Sequence, residues 1–244
     1  CVAGCAHGAK SSADITYWPH AIRAGVELRT RCRVRSVSTN DAGLATGVVY
    51  CDADGIAHFQ PAEVVILACN GIGTPRILLN SASARFPDGL ANSSGLVGRN
   101  LMFHPYAAIH GCFDQEQDGY RGPPISIWSQ QFYETDASRG FVRGYTFQCN
   151  RGSGPVHTAV SGMRSSRIPW GNEHHRAFRR WFDHTAGMLA ICEDLPEEHN
   201  RVTLDAPMTD ADGIPAPRVE YVLSENSRNM LAHAVARARE VLHA

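Results

Sequence analysis

Between residues 25 and 68, hydrophobic and polar positions alternate in three runs, VELRTRCRVRSV, LATGVVYCD and IAHFQPAEVVILA, separated by NDAG and ADG. Arg29, Arg31, Arg33 and Arg35 alternate with Thr30, Cys32 and Val34, so one face of the first run is wetted and the other packs. Period-two runs broken by Asp/Asn-containing glycine turns predict antiparallel pairing, here a β-meander. The third run ends on Val64-Val65-Ile66-Leu67, apolar on both faces, the pattern of a strand buried between layers of a parallel sheet. Each such side chain contributes about 1.5–3 kcal/mol when fully buried, so the four predict a strong local anchor. The continuation, AEVVILACNGIGTPRILLNS, then turns through Gly71 and Gly73 into a helix predicted from Thr74 as N-cap and Pro75 as first helical residue to about residue 81.

Past Leu101 the chain mixes glycine, proline and aromatic residues with short strand-like runs. ISIWSQQF, GFVRGYTFQ and VHTAVSG predict an antiparallel sheet. EHHRAFRRWFDHTAGM reads equally as a helix or a polar loop. MLAICEDLP, NRVTLD and PRVEYVLS predict three further strands before a terminal helix with Ser224 as N-cap and an apolar stripe of Leu231, Val235, Ala238 and Leu242. The change of character places a domain boundary between residues 104 and 105. The chain opens without methionine inside what reads as a motif, and its last helix has no glycine or proline exit, so the expectation is a piece of a longer protein.

With 43% hydrophobic residues in a chain of 244, a sizeable core is expected, in one large domain or two modest ones. The formal net charge of -1, from 23 basic and 24 acidic residues, provides no general field for nucleic acid or an anionic membrane. A small-molecule partner is expected instead. Lys10 is the only lysine, an arginine excess best explained by coding bias. No apolar run approaches the roughly 18 residues of a membrane span. The eight scattered cysteines suit a reducing, cytoplasmic setting. Cys1, Cys5 and His7 lack C-x-x-C spacing and a second ligand pair, so no metal site is expected.

GCAHGAKSSADITYWPHAI, the arginine-rich strand reaching Val34, VVILACNGIGTPRILLNS, SSGLVGRNLMFHP and EDLPEEHNRVTLD together resemble the central and later part of a glucose-methanol-choline (GMC) oxidoreductase. The most specific pieces are the strand-turn-helix with Thr74-Pro75 and Gly95 to Leu101 running into His104-Pro105. The resemblance implies an α/β segment in an α+β whole: a partial FAD-binding domain of the glutathione-reductase type with a β-meander over residues 1–104, and an antiparallel-sheet substrate domain with helices over 105–244. It implies that the backbone of Val34 touches the adenine end of FAD and that Ala68, Cys69, Asn70 and Gly71 lie beside the adenosine. Gly71-Ile72-Gly73 has Arg76 where the dinucleotide fingerprint needs its third glycine, and Gly152-Ser153-Gly154 does not complete it either, so the pyrophosphate motif is absent from these residues. The family's histidine base follows the region that the last helix begins, and no residue here is assigned a catalytic role.

The resemblance implies oxidation of a CH–OH group of a small alcohol, sugar or polyol by hydride transfer to flavin, with oxygen, a quinone or a redox protein as electron acceptor. The 244 residues alone are expected to be inactive and to hold FAD poorly. A truncated, non-catalytic module that only folds or associates is the alternative, and an NAD-binding domain ranks last. Trp128, Phe132, Tyr145 and Phe147 fit either a substrate pocket or a core. His104 is expected to brace a domain-junction turn; His157, His174, His175 and His184 carry no site assignment. DADGIPAP lacks the full calcium-loop pattern and predicts a turn, and the sequon at Asn92 is not expected to be glycosylated in a reducing compartment.

Overall fold

The computed structural model describes residue 7 and residues 9–244, so Cys1 and Cys5 lie outside the described residues. Two short helices, α1 (Ala13–Thr16) and α2 (Trp18–Arg23), lead to strands β1 (Arg33–Thr39), β2 (Ala45–Cys51) and β3 (Ala57–Pro61) and helix α3 (Asn70–Asn80). Strands β4 (Tyr106–Cys112), β5 (Ile125–Ser129) and β6 (Tyr145–Asn150) follow, then helices α4 (Pro155–Arg164) and α5 (His174–Trp181). The chain closes with β7 (Thr185–Cys192), β8 (Arg201–Thr209), β9 (Pro215–Glu220) and α6 (Glu225–His243). By packing it divides into one unit of Ala21–Met102 with Pro196–Val222, and another of the residues up to His20 with Phe103–Leu195 and Leu223–Ala244.

In the first unit, β1, β2 and β3 form the expected antiparallel meander in that order. Gly43 and Gly55 close its turns at φ of 82° and 77°. The side chains that begin those turns satisfy the loop backbone: Asn40 Oδ1 accepts from Leu44 N–H, and Asp52 Oδ1 from Asp54 and Ile56, each at 2.9 Å. Arg35 bulges out of β1, since Val34 pairs with Tyr50 and Ser36 with Val49.

The segment after β3 departs from expectation. Val64 to Ala68 is not a strand, and Val64 and Ile66 are 76% and 85% exposed. Apolarity alone does not make a strand, because the ladder needs a neighbour, and no strand among the described residues pairs with this one. The following helix also begins earlier than Thr74. Asn70 adopts φ of 60°, and its Oδ1 accepts from the N–H groups of Ile72 (2.9 Å) and Gly73 (3.1 Å), so Asn70 caps α3. Thr74 is inside the helix, where its Oγ1 accepts from Cys69 N–H at 3.2 Å, and Pro75 costs α3 one early backbone hydrogen bond.

α3 is tied on one side to β1: Ser81 Oγ accepts from Val37 N–H at 2.9 Å, and Asn80 Nδ2 donates to the carbonyl of the bulged Arg35 at 2.8 Å. On the other side lies the antiparallel β8–β9 hairpin. Arg76 Nε donates to Pro215 O at 2.7 Å, and its Nη2 donates to Asp210 Oδ2 and Ile214 O at 2.8 and 2.9 Å. Gly98, at φ of 83°, accepts from Val202 N–H at 2.7 Å, and a Cβ there would stand 2.2 Å from Val202 O.

The second unit is a four-stranded antiparallel sheet of order β4-β7-β6-β5, with α6 packed on one face. Tyr145, Phe147, Met188, Ala190 and Cys192 from the sheet meet Met230, Ala234 and Ala238 from α6 in a continuous core. Ser224 caps α6 by accepting from Ser227 N–H at 3.1 Å, as expected. The fully buried stripe is Met230, Ala234 and Ala238, with Leu231 and Leu242 on its flank. VHTAVSG is helical, not a strand: Pro155 follows Gly154 at the first position of α4, where its missing N–H costs nothing, and this start overrides the strand preference of Val156, Thr158 and Val160. HHRAFRRW is helix α5.

Candidate functional site

The residues expected beside adenosine are gathered at the start of α3. Ala68, Asn70 and Gly71 are exposed and Cys69 is half-buried. A Cβ at Gly71 would meet nothing within 4 Å. With the exposed Val64 and Ile66 beside them in sequence, they make an open, small-residue, partly apolar surface that suits a flat aromatic base. It does not suit a pyrophosphate, because the N–H groups of Ile72 and Gly73 already bond Asn70 Oδ1. Gly71 and Gly73 therefore sit in a capped helical turn and not in a phosphate-binding loop.

Val34 is half-buried in β1, whose other edge has no strand partner among the described residues. Its neighbour Arg33 shares Asp210 with Arg76, which sets this end of β1 alongside the middle of α3. From Arg76 back to Asn70 is about 9 Å along the helix at 1.5 Å per residue. Val34 and residues 68–71 thus belong to one strand-helix layer.

The residue that breaks the glycine fingerprint has its own task. Arg76 and Arg33 both reach Asp210 in the turn between β8 and β9, Arg33 at 3.1 Å, and Arg33 also meets Asp212 at 3.2 Å. Burial opposes ionisation of Asp210, but the Arg76 guanidinium, the N–H groups of Ile214 and Asp212, and Arg33 outweigh it and hold the carboxyl down at about 2. DADGIPAP is thus the expected turn, with Gly213 at φ of 69°. No group of His, Cys, Asp or Glu among the described residues is arranged to hold a metal ion.

In the second unit, the period-two register sorts the candidate aromatics. Tyr145 and Phe147 face the α6 core at 1% and 2% exposure, Phe132 stacks on Tyr145 at 5.3 Å, and Tyr145 Oη meets His233 Nδ1 at 2.8 Å. Burial pushes the Cys192 thiol in the same core up to about 12, which makes it inert. Trp128 is 62% exposed and stands in one cross-strand row with Gln148, Leu189 and Ala108. The next row on that face holds Asn150, Gly187 and His110. The face opposite α6 therefore carries a polar set, and the alternation in YTFQCN, with Thr146, Gln148 and Asn150 against Tyr145, Phe147 and Cys149, is the signal for it.

At one end of this face, α4 and α5 roof a cavity of about 260 Å³ lined by His110, Asn150, His157, Arg167, Trp181 and other residues. Gly187 makes room for the His110 ring, since a Cβ there would lie 2.6 Å from His110 Nδ1. Burial, then the charge of Arg167, pushes the pKa of His110 below the ordinary histidine value. His104 lies apart, its Nδ1 3.1 Å from Cys192 O, as suits a residue bracing a turn. His174 and His184 contact the carbonyls of Pro169 and Phe113, each at 3.1 Å, while His175 stacks edge-on against His174. The Asn92 side chain bonds Val97 N–H and Asp88 O within its own loop.

Residues 1–106 match the model of the GMC oxidoreductase family. Over 246 aligned residues the chain is 38% identical to 2-methyl-1,2-propanediol dehydrogenase of Mycolicibacterium austroafricanum, covering 100% of this chain and 44% of that protein. It is 30% identical to the fructose dehydrogenase large subunit of Gluconobacter japonicus, over 92% of this chain and 41% of that protein. Among solved structures, formate oxidase from Aspergillus oryzae, in a study of its FAD modification, matches with a TM-score of 0.51 at 16% identity, over 83% of this chain and 42% of that one. The chain thus spans less than half the length of each of these relatives.

Proposed function

Because the chain belongs to the GMC oxidoreductase family, we propose that it is part of an FAD-dependent enzyme that oxidises the CH–OH group of a small alcohol, sugar or polyol. The observation that carries this reading on the structural side is the β-meander joined to α3, with an exposed surface for a flat base at the helix start. Val34 would present strand-edge backbone to the adenine, and Ala68, Cys69, Asn70 and Gly71 would line the adenosine. Residues Ala21–Met102 supply this cofactor side, with the β8–β9 hairpin fastened to it through Arg76. Residues 105–244, apart from that hairpin, supply the substrate side through the sheet face of Trp128, Gln148 and Asn150.

When bound, FAD supplies the two-electron chemistry by accepting hydride from the carbinol carbon. The chain's own residues bind and orient. The cap at Asn70 fixes the start of α3, the Arg33–Asp210–Arg76 cluster fixes α3 against its hairpin, and the aromatic core behind β6 and β7 keeps the polar sheet face in register. No described residue is given the proton-accepting role. The electron acceptor falls within oxygen, a quinone or a redox protein. The six described free cysteines suit a reducing, cytoplasmic setting, and no helix among the described residues is long and apolar enough to cross a membrane.

The test is purification of the intact protein and of the 244-residue stretch by itself. The intact protein is expected to carry oxidised flavin that a primary or secondary alcohol bleaches without oxygen. The stretch alone is expected to carry none, because its glycine pair is committed to a capped helix. An intact protein that neither retains nor takes up FAD would favour the non-catalytic module.

A further inference from the structure

The cavity roofed by α4 and α5 has a one-sided chemistry. None of its lining residues is Asp or Glu, while Arg167, His110 and His157 all line it, beside the hydroxyl residues Thr158, Ser161 and Ser165. The exposed Arg167 side chain is in none of the ion pairs among the described residues, and its guanidinium lies 5.4 Å above the Trp181 ring. Arg167, His110 and His157 are exposed, so their cavity is an open, basic concavity whose donors water now solvates, and an oxyanion can exchange with that water to take several of them at once. The fold holds the arginine there: the N–H groups of Arg167 and Ile168 both bond Gly162 O, at 2.9 and 3.1 Å, and buried Ile168 packs where Gly162 has no side chain. The start of α4 adds the same sign, with no side-chain cap and no acidic residue in its first turn.

We propose that this cavity binds a small organic anion through its carboxylate or phosphate group, with Arg167 as the principal ligand and His110 and His157 as hydrogen-bonding partners. The volume of about 260 Å³ is several times that of a water at about 30 Å³, so there is room for a carbon skeleton beyond the charged group. Gly187 permits His110 to lie across β7, which keeps the imidazole on the cavity wall. The inference rests on the second unit alone and does not need the redox reading.

The experiment is calorimetric titration of the intact protein at constant ionic strength with inorganic phosphate, acetate and glycerol 3-phosphate as anionic probes, and glycerol as the neutral one. Binding of at least one anion with a Kd of about 1 mM or tighter is expected, and it is expected to respond to substitution of Arg167, whereas the response to glycerol, itself a polyol, is expected to stay the same in wild type and Arg167→Gln. Tighter phosphate probes assign a phosphate-bearing ligand, and tighter acetate a carboxylate-bearing one. Arg167→Gln is expected to weaken the bound anion at least tenfold and Arg167→Lys, which keeps the charge but not the planar fork, to restore part of the loss, with the unfolding midpoint of both variants unchanged. No binding by any anion, or equal binding by wild type and Arg167→Gln, overturns the proposal whether or not the protein oxidises alcohols.

Discussion

Replacing Arg76 by methionine keeps the length and apolar stem of the side chain while removing its guanidinium. The side chain is 19% exposed and donates to one carboxylate and two carbonyls on the turn between β8 and β9. A hydrogen bond to a charged group contributes about 1.5–3 kcal/mol, and acceptors left partly desolvated add to the loss, although Arg33 remains to neutralise Asp210. A destabilisation of about 2–4 kcal/mol is expected, which is large against the roughly 5–15 kcal/mol of a whole domain. Denaturant unfolding followed by circular dichroism measures it, and a double-mutant cycle with Asp210→Asn isolates the pair. The pH limb gives an independent check. Asp210 ionises at about 2 in the folded chain against 3.8 ordinarily, so its contribution of about 2 kcal/mol is fully present above pH 4 and is lost as pH falls from 4 towards 2. Arg76→Met should shrink that limb, leaving the part held by the Ile214 and Asp212 N–H groups and Arg33. A loss below about 0.5 kcal/mol, or an unchanged acid limb, would refute the fastening role of Arg76.

Three further outcomes are expected. Gly98→Ala sets a Cβ at 2.2 Å from Val202 O and forces alanine to φ of 83°, so its thermal midpoint should fall by several degrees, a loss of about 2 kcal/mol or more. Asn70→Ala removes the cap on Ile72 and Gly73 and puts alanine at φ of 60°, for a loss of about 1–2 kcal/mol in denaturant unfolding. Ser227→Ala removes a fully buried hydroxyl that donates to Asp194 at 2.9 Å; it should cost about 1–3 kcal/mol and expose the α6 core to faster hydrogen exchange.

The meander was legible because both of its signals are local: alternation along each strand, and Asn or Asp followed by glycine at each turn. The α6 cap at Ser224 was legible for the same reason, and the sheet faces of β6 could be sorted by alternation alone. The exposed Val64 and Ile66 were not, since a strand exists only with a neighbour and four apolar residues do not say whether one is present. VHTAVSG misled through its β-branched residues, although Pro155 after Gly154 was the helix signal. Thr74 and Asn70 are both capping residue types; the choice fell to Asn70, which tolerates a positive φ. Arg76 looked like a missing glycine because its partners on the hairpin lie more than a hundred residues further along the chain. Arg167 gave no local cue, for its position depends on how Gly162 lets Ile168 fold back against α4.

The central assignment, that the start of α3 lines the adenosine of FAD, is tested most directly by Gly71→Asp in the intact protein. Open space surrounds the new side chain, and an acidic residue suits the first turn of a helix, so the chain itself should lose no stability. If adenosine covers this position, the carboxylate meets the ligand alone, and the Kd for FAD in titrations of the apoprotein should rise at least tenfold while the unfolding midpoint stays unchanged or increases. An unchanged Kd in a folded variant would contradict the assignment.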